Sequence, residues 1–115
     1  MIPKAFITHW RSAAPWISDL HVEQDLIICR ALIELYSSKL ISETFVFRGG
    51  TALYKLYSTP SPRYSEDIDL VQIQAAPIGV VLSEIRMIRM PGTYLLYSTA
   101  HRSLKELYIY NLILL

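Results

Sequence analysis

The apolar residues of this chain recur with periods that predict an alternation of helices and short strands. From Ser18 or Asp19 to about Ser38, apolar residues return at alternating four- and three-residue steps, which predicts a long amphipathic helix. The residues of this stripe are Val22, Leu26, Cys29, Ile33, Tyr36 and Leu40. A shorter series within residues 1–17 predicts a helical arm that ends at Pro15 and packs on the domain, although its two tryptophans could instead form a partner surface.

A short strand followed by two glycines comes next in the chain. The apolar run 45–47 has the composition of a strand, and it leads into Gly49-Gly50. Glycine lets the backbone turn sharply and approach a ligand closely, because no Cβ intervenes. Thr51 can cap the short helix that follows, whose free N–H groups would form a cradle for phosphate. The alternative interpretation of the two glycines is an ordinary tight turn.

Two carboxylates two residues apart mark the next predicted strand, which runs from Asp67 to Gln72. Residues i and i+2 of a strand share a face, so Asp67 and Asp69 should point the same way while Ile68 and Leu70 enter the core. Two converging carboxylates beside a phosphate-binding turn suit Mg²⁺-assisted phosphoryl or nucleotidyl transfer. On an arbitrary strand, such a pair would simply be solvated.

The rest of the chain predicts one more helix and two further strands. Ile78, Val81, Leu82, Ile85 and Ile88 form the apolar stripe of a helix over 77–90. Two β-like runs follow, at 94–97 and 107–115, separated by polar residues. The second run is apolar to its last residue and would leave an edge that must be paired or covered, which is typical of a fragment.

Composition limits the protein to one small domain. With 115 residues and 52% hydrophobic residues, we expect a single unit over 1–115, with a helical arm at about 1–40 and a core at about 41–115. The net charge of +1 gives no sign of a general nucleic-acid-binding surface. A single cysteine excludes an intrachain disulfide, and no apolar run approaches the ~18 residues that span a bilayer. These features predict a cytoplasmic protein without membrane contact.

The strings FRGGTALYKLY and RYSEDIDL together resemble the AbiEii/AbiGii nucleotidyltransferase toxins, and the upstream THW, APW and VEQDLIICRAL stretches are similar to the lead-in of one branch. The resemblance implies a bacterial abortive-infection or toxin–antitoxin effector of α+β fold, with a minimal mixed sheet backed by helices. The implied activity transfers a nucleoside monophosphate from an NTP, GTP or CTP being plausible, to an RNA or protein hydroxyl. The implied cofactor is a pair of Mg²⁺ ions, and the implied partner is a cognate antitoxin.

The resemblance also assigns roles to individual residues. Asp67 and Asp69 would be the catalytic metal ligands, and Gly49, Gly50 and Thr51 would hold the triphosphate. Lys55 would neutralise a phosphate, unless it is a solvated surface lysine. Arg63 and Ser65 resemble the Arg-x-Ser element of the family, where the arginine either clamps phosphate or braces its loop through Glu66.

The chain departs from the family pattern in its tail. Family members generally add a third carboxylate from a later strand and a helical C-terminal half. The tail contains a single acid, Glu106, whose surroundings look more like the strand before that position, so we expect the third ligand to be absent and turnover to be weak or lost. Two rival functions follow: a non-catalytic relic that binds an antitoxin or dimerises through its open sheet edge, and a nucleotide sensor without chemistry.

Overall fold

A computed structural model describes residues 2–58, 63–88, 96–102 and 108–114, the last two segments by their backbone. The fold is α+β, as the sequence predicts. The helices are α1 (Lys4–Trp10), α2 (Asp19–Ser37), α3 (Lys39–Thr44), α4 (Gly49–Tyr57) and α5 (Gly79–Met87). The strands are β1 (Phe45–Arg48), β2 (Asp67–Gln72), β3 (Leu96–Arg102) and β4 (Tyr108–Leu114).

The four strands form one sheet in the order β1-β2-β4-β3. Every described pairing is antiparallel, so the expectation of a mixed sheet is wrong. β1 and β2 are joined through α4 and pair with Arg48 opposite Asp69. On the other side of β2, Asp69 pairs with Asn111 of β4. The strand that carries the two carboxylates is therefore central in the sheet.

The hydrophobic core lies between one face of β1 and β2 and the helices α2, α3 and α5. Burial alternates along β2, where Ile68 and Leu70 are fully buried while the neighbouring Asp67 and Asp69 are only partly buried. Phe45 of β1 enters the same core. Helices contribute Ile27, Ile28, Ala31, Leu35, Ile41, Val81 and Ile85. This alternation confirms that the two carboxylates share the face opposite the core.

The buried face of α2 differs from the stripe that the sequence spacing predicts. The buried residues are Val22, Asp25, Ile27, Ile28, Ala31 and Leu35, whereas Ile33 is 66% exposed. Leu40 is also exposed and lies beyond the helix. The prediction was wrong because α2 is apolar over much of its circumference, so that periodicity alone supports more than one stripe.

Two other predicted boundaries change. α3 lies between the predicted helix and the predicted strand, where the apolar periodicity predicts neither. Ser38 separates α2 from α3 in an extended conformation, and its hydroxyl accepts a hydrogen bond from the Ile41 N–H. α1 stops at Trp10, well before Pro15. The apolar stripe of α5 is confirmed, because Val81 and Ile85 are buried and the other three positions pack against the core.

The C-terminal strands are placed differently from the sequence expectation. β4 matches the predicted run, but it pairs with β2 on one side and β3 on the other, so it offers no open edge. The edges of the described sheet are β1 and β3, and β3 begins later and extends further than the run predicted at 94–97. Glu106, the candidate third carboxylate, lies outside the described residues. Among the described helices, none is long and apolar enough to cross a membrane.

Candidate functional site

The turn between β1 and α4 brings the backbone against the carboxylate strand. Gly49 has a φ of +85°, in the left-handed region that L side chains rarely adopt. A Cβ on Gly49 would overlap Asp69 Oδ2 and lie 3.0 Å from Asp69 Cγ. Glycine is therefore required at this position for two independent reasons, the backbone conformation and the space taken by the carboxylate.

Asp67 and Asp69 stand together on the face of β2 that the core does not cover. Both side chains are partly buried. Burial and the negative charge of Asp67 raise the pKa of Asp69, and the Arg48 guanidinium only partly offsets this effect. The two carboxylates thus concentrate negative charge where the surroundings solvate it poorly, which is the situation that a bound cation relieves.

A second contact closes the loop that precedes β2 onto the first turn of α4. The fully buried Thr51 donates a hydrogen bond from its hydroxyl to Ser65 Oγ, at 2.8 Å. A Cβ on Gly50 would lie 3.3 Å from Ser65 Oγ and 3.4 Å from Arg63 Nη2. The predicted residues Gly49, Gly50, Thr51, Arg63, Ser65 and Asp69 are therefore brought together around the start of α4.

The start of α4 has the features of an anion site. The helix is nine residues long, and the N-cap residue Arg48 makes no side-chain capping bond to its first N–H groups. The first N–H groups of a helix and the positive end of its dipole favour a negative ligand there. The Arg63 guanidinium beside Gly50 adds positive charge at the same place.

Lys55, a predicted phosphate-binding residue, is engaged elsewhere in the structure. Its side chain is only 11% exposed, so the solvated-surface alternative is wrong. The ammonium donates to Asp25 Oδ1 at 2.8 Å and to Cys29 Sγ at 3.0 Å. Asp25 also accepts hydrogen bonds from Tyr54 Oη and, at 2.8 Å, from Trp10 Nε1. The lysine therefore links α4 to α2, and these contacts hold its ammonium away from the Gly49-Gly50 turn.

Sequence reasoning missed this buried polar cluster. An acid near the N-terminus of a helix is ordinarily explained by the helix dipole, but Asp25 is 3% exposed and holds α1, α2 and α4 together. Burial acts to raise the pKa of Asp25, but the hydrogen bonds from Lys55, Tyr54 and Trp10 outweigh it and the pKa is lowered. No local sequence pattern could have predicted the pairing of Asp25 with Lys55, since the two residues lie 30 positions apart.

The donor set of the site fits a hard divalent cation but is small. Two carboxylates on one strand face supply the oxygen ligands that Mg²⁺ prefers, and Mg²⁺ usually keeps several waters and takes further oxygens from substrate phosphates. Within the described residues, no group of three or more His, Cys, Asp or Glu side chains could hold a metal. Among the residues that the structure describes, the carboxylates of Asp67 and Asp69 beside the start of α4 are the candidate ligands.

Comparison with known proteins identifies the family. A family described as the nucleotidyl transferase AbiEii toxin, type IV TA system, matches residues 30–90, which include β1, the glycine turn and β2. No curated protein and no solved structure matches the chain. Because the match covers more than half of its residues, the chain belongs to the AbiEii nucleotidyl transferase toxin family of type IV toxin–antitoxin systems.

Proposed function

We propose that this chain binds an Mg²⁺–nucleoside triphosphate and transfers its nucleoside monophosphate to a hydroxyl of an RNA or protein acceptor. The observation that carries the proposal is the contact between Gly49 and Asp69. It joins a helix start, suited to phosphate, directly to a carboxylate pair, suited to a metal. An ordinary tight turn would not require a carboxylate against the missing Cβ.

In this proposal the turn and the loop hold the triphosphate. The N–H groups at the start of α4 bind phosphate oxygens, and the Arg63 guanidinium neutralises part of their charge. The Thr51–Ser65 hydrogen bond fixes the loop, and with it Arg63, against the turn. Since positioning and charge neutralisation account for most of the catalysis in phosphoryl transfer, these contacts would do much of the work.

Asp67 and Asp69 would hold the cation. Mg²⁺ bound there would act as a Lewis acid on the phosphate oxygens and neutralise the charge that develops as pyrophosphate leaves. The half-buried position of the pair strengthens its attraction for a dication relative to that of a fully solvated pair. Lys55 has no part in this proposal, because its ammonium is held by Asp25.

The finer substrate assignments rest on the family. GTP and CTP are the proposed donors, and a cognate antitoxin is the proposed protein partner, since the family is a toxin of type IV systems. The rival proposals, a binding relic and a nucleotide sensor, differ in measurable ways. A relic would bind its partner without nucleotide affinity, and a sensor would bind nucleotide without transfer.

Calorimetric titration of Mg²⁺–GTP and Mg²⁺–CTP tests the proposal. We expect binding to the native protein, its loss in the double variant Asp67→Asn/Asp69→Asn, and its retention in the control variant Glu43→Gln, an exposed acid of α3. Incubation with α-phosphate-labelled nucleotide and bulk RNA or protein should then label an acceptor. Absence of binding at millimolar nucleotide, in a protein shown to be folded, would overturn the proposed function.

A further inference from the structure

A cavity of about 400 Å³ lies between the segment that precedes α2, here called the arm, and the helices α2 and α4. Its lining includes three aromatic rings, those of Trp10 and Trp16 of the arm and Tyr54 of α4, together with the buried Asp25–Lys55 pair. The hydroxyl-bearing side chains of Ser12 and Ser58 also line it. Cavities of this size that combine apolar walls with a few polar groups are typical small-molecule sites.

The aromatic walls are held by their neighbours. Tyr54 donates to Asp25, which also accepts from Trp10 and Lys55. Trp16 packs edge-on against Tyr54, with ring centroids 5.7 Å apart. A cavity whose rings are fixed in this way is preorganised, so a planar ligand would enter it with little loss of side-chain freedom.

The cavity is connected to the phosphate turn through two elements. Thr51, Tyr54, Lys55 and Ser58 follow the spacing of one helix face, so the face of α4 that begins at the phosphate turn continues into the cavity wall. At about 1.5 Å per residue, Thr51 and Ser58 are separated by about 10 Å along the helix. In addition, Trp16 packs edge-on against Tyr64 at 5.4 Å, and Tyr64 directly precedes Ser65, which contacts Thr51.

We propose that this cavity receives the nucleobase of the donor nucleotide, while the start of α4 holds its phosphates. This inference rests on the proposed function and deepens it by assigning the base-binding site to the N-terminal arm. A nucleobase is a planar ring system with polar edges, which matches aromatic walls with hydroxyl groups between them. The arm thereby becomes part of the substrate site rather than a packing element alone.

Intrinsic fluorescence provides a direct test, because the chain contains two tryptophans and both line the cavity. Guanosine and cytidine, which lack phosphate, should quench this fluorescence saturably in the absence of Mg²⁺. Ala13→Phe, at an exposed position that lines the cavity, should fill it and abolish the quenching. Ala5→Phe, at an exposed position of α1 away from the cavity, is the matched control and should leave quenching unchanged.

Calorimetry separates this inference from the proposed function. Ala13→Phe should weaken Mg²⁺–GTP or Mg²⁺–CTP binding at least tenfold relative to Ala5→Phe, but leave binding of Mg²⁺–tripolyphosphate, which has no base, unchanged. Asp67→Asn/Asp69→Asn should abolish binding of both ligands. If Asp67→Asn/Asp69→Asn behaves as expected while Ala13→Phe and Ala5→Phe bind nucleotide equally, the assignment of the cavity to the base is wrong and the proposed function stands.

Two further outcomes are decisive. If Ala13→Phe weakens binding of an oligoribonucleotide but not of the nucleoside triphosphate, the cavity belongs to an acceptor and the assignment to the donor base is overturned. Should Ala13→Phe lower the melting temperature, Ser58→Leu fills the cavity from the end of α4 instead. Unchanged nucleotide affinity in a folded Ser58→Leu protein then overturns the inference.

Discussion

The Asp69 carboxylate fills the space that a side chain on Gly49 would need, since any Cβ at residue 49 would overlap Asp69 Oδ2. The glycine also has a positive φ, so both the conformation and the contact select against every other residue. The Gly49-Gly50 turn and the carboxylate strand are thus fitted to each other.

Gly49→Ala should therefore disturb both stability and binding. We expect a loss of about 1–3 kcal/mol in the free energy of unfolding, because alanine is strained at this φ and its methyl group displaces the Asp69 carboxylate. Nucleotide affinity should fall as well. Gly79→Ala is the control, since nothing lies within 4 Å of the added Cβ, and it should leave the protein as stable or more stable. Urea unfolding measures the stability of both variants. Equal losses in Gly49→Ala and Gly79→Ala would contradict the close fit of Gly49 to Asp69.

The carboxylate pair should bind metal at the expense of stability. Asp67→Asn removes a negative charge that faces Asp69, so we expect metal-free protein to become more stable by up to about 1 kcal/mol. The same variant should lose measurable Mg²⁺ affinity. Unfolding in EDTA and titration with Mg²⁺ provide the two measurements. A variant that is less stable than the native protein and still binds Mg²⁺ normally would show that the pair has a structural role.

Removing one member of the Asp25–Lys55 pair should be costly. Lys55→Met leaves the 3%-exposed Asp25 carboxylate without its cation, and we expect a loss of about 3 kcal/mol in the free energy of unfolding. The double variant Asp25→Leu/Lys55→Met should recover much of that loss. Lys39→Met, which removes an exposed ion pair with Glu43, should have no measurable effect. Chemical denaturation measures these free energies of unfolding. A double variant no more stable than Lys55→Met would contradict the expected cost of leaving Asp25 unpaired.

The same cluster should make stability depend on acid pH. Hydrogen bonds hold the pKa of Asp25 below its ordinary value of 3.8 despite burial, which acts to raise it. A carboxyl group with a lowered folded pKa stabilises the fold fully above its unfolded pKa, and this contribution is lost as the pH falls towards the folded pKa. The stability difference between the native protein and Asp25→Asn should therefore be constant near pH 6 and shrink below pH ~4. If this stability difference instead grows as the pH falls, the pKa of Asp25 is not lowered in the folded protein.

Two isoleucines of α2 test which face of the helix is buried. Ile28→Ala should cost about 2–5 kcal/mol, because Ile28 is fully buried in the core. Ile33→Ala should change the free energy of unfolding by less than about 0.5 kcal/mol, since that side chain is 66% exposed. Thermal or urea unfolding of the two variants is sufficient. Comparable losses would favour the stripe that the sequence spacing predicts.

The local parts of the site could be read from the sequence because local rules determine them. Alternation along β2 separates Asp67 and Asp69 from Ile68 and Leu70 whatever the rest of the chain does. The glycine turn likewise follows from two adjacent residues. The hydrogen bond between Thr51 and Ser65, 14 residues apart, follows from no rule of spacing.

What the sequence could not predict depends on distant contacts. The partners of Asp25 come from α1 and α4, and only the packed structure brings them together. The buried face of α2 could not be chosen by periodicity, because the helix carries apolar residues on several sides. α3, with six residues, is too short to show a helical period.

The position of β4 has a consequence for the synthesis of the protein. β2 pairs on one side with β4, and the register joins Asp69 to Asn111, about forty residues later in the chain. At about 5–20 residues per second, a ribosome needs about 2–8 s to cover that interval. During this time, a nascent chain that already contains both carboxylates lacks the residues that pair with the second hydrogen-bonding edge of β2. The order of the strands therefore delays the pairing of the carboxylate strand with β4 until Asn111 has been synthesised.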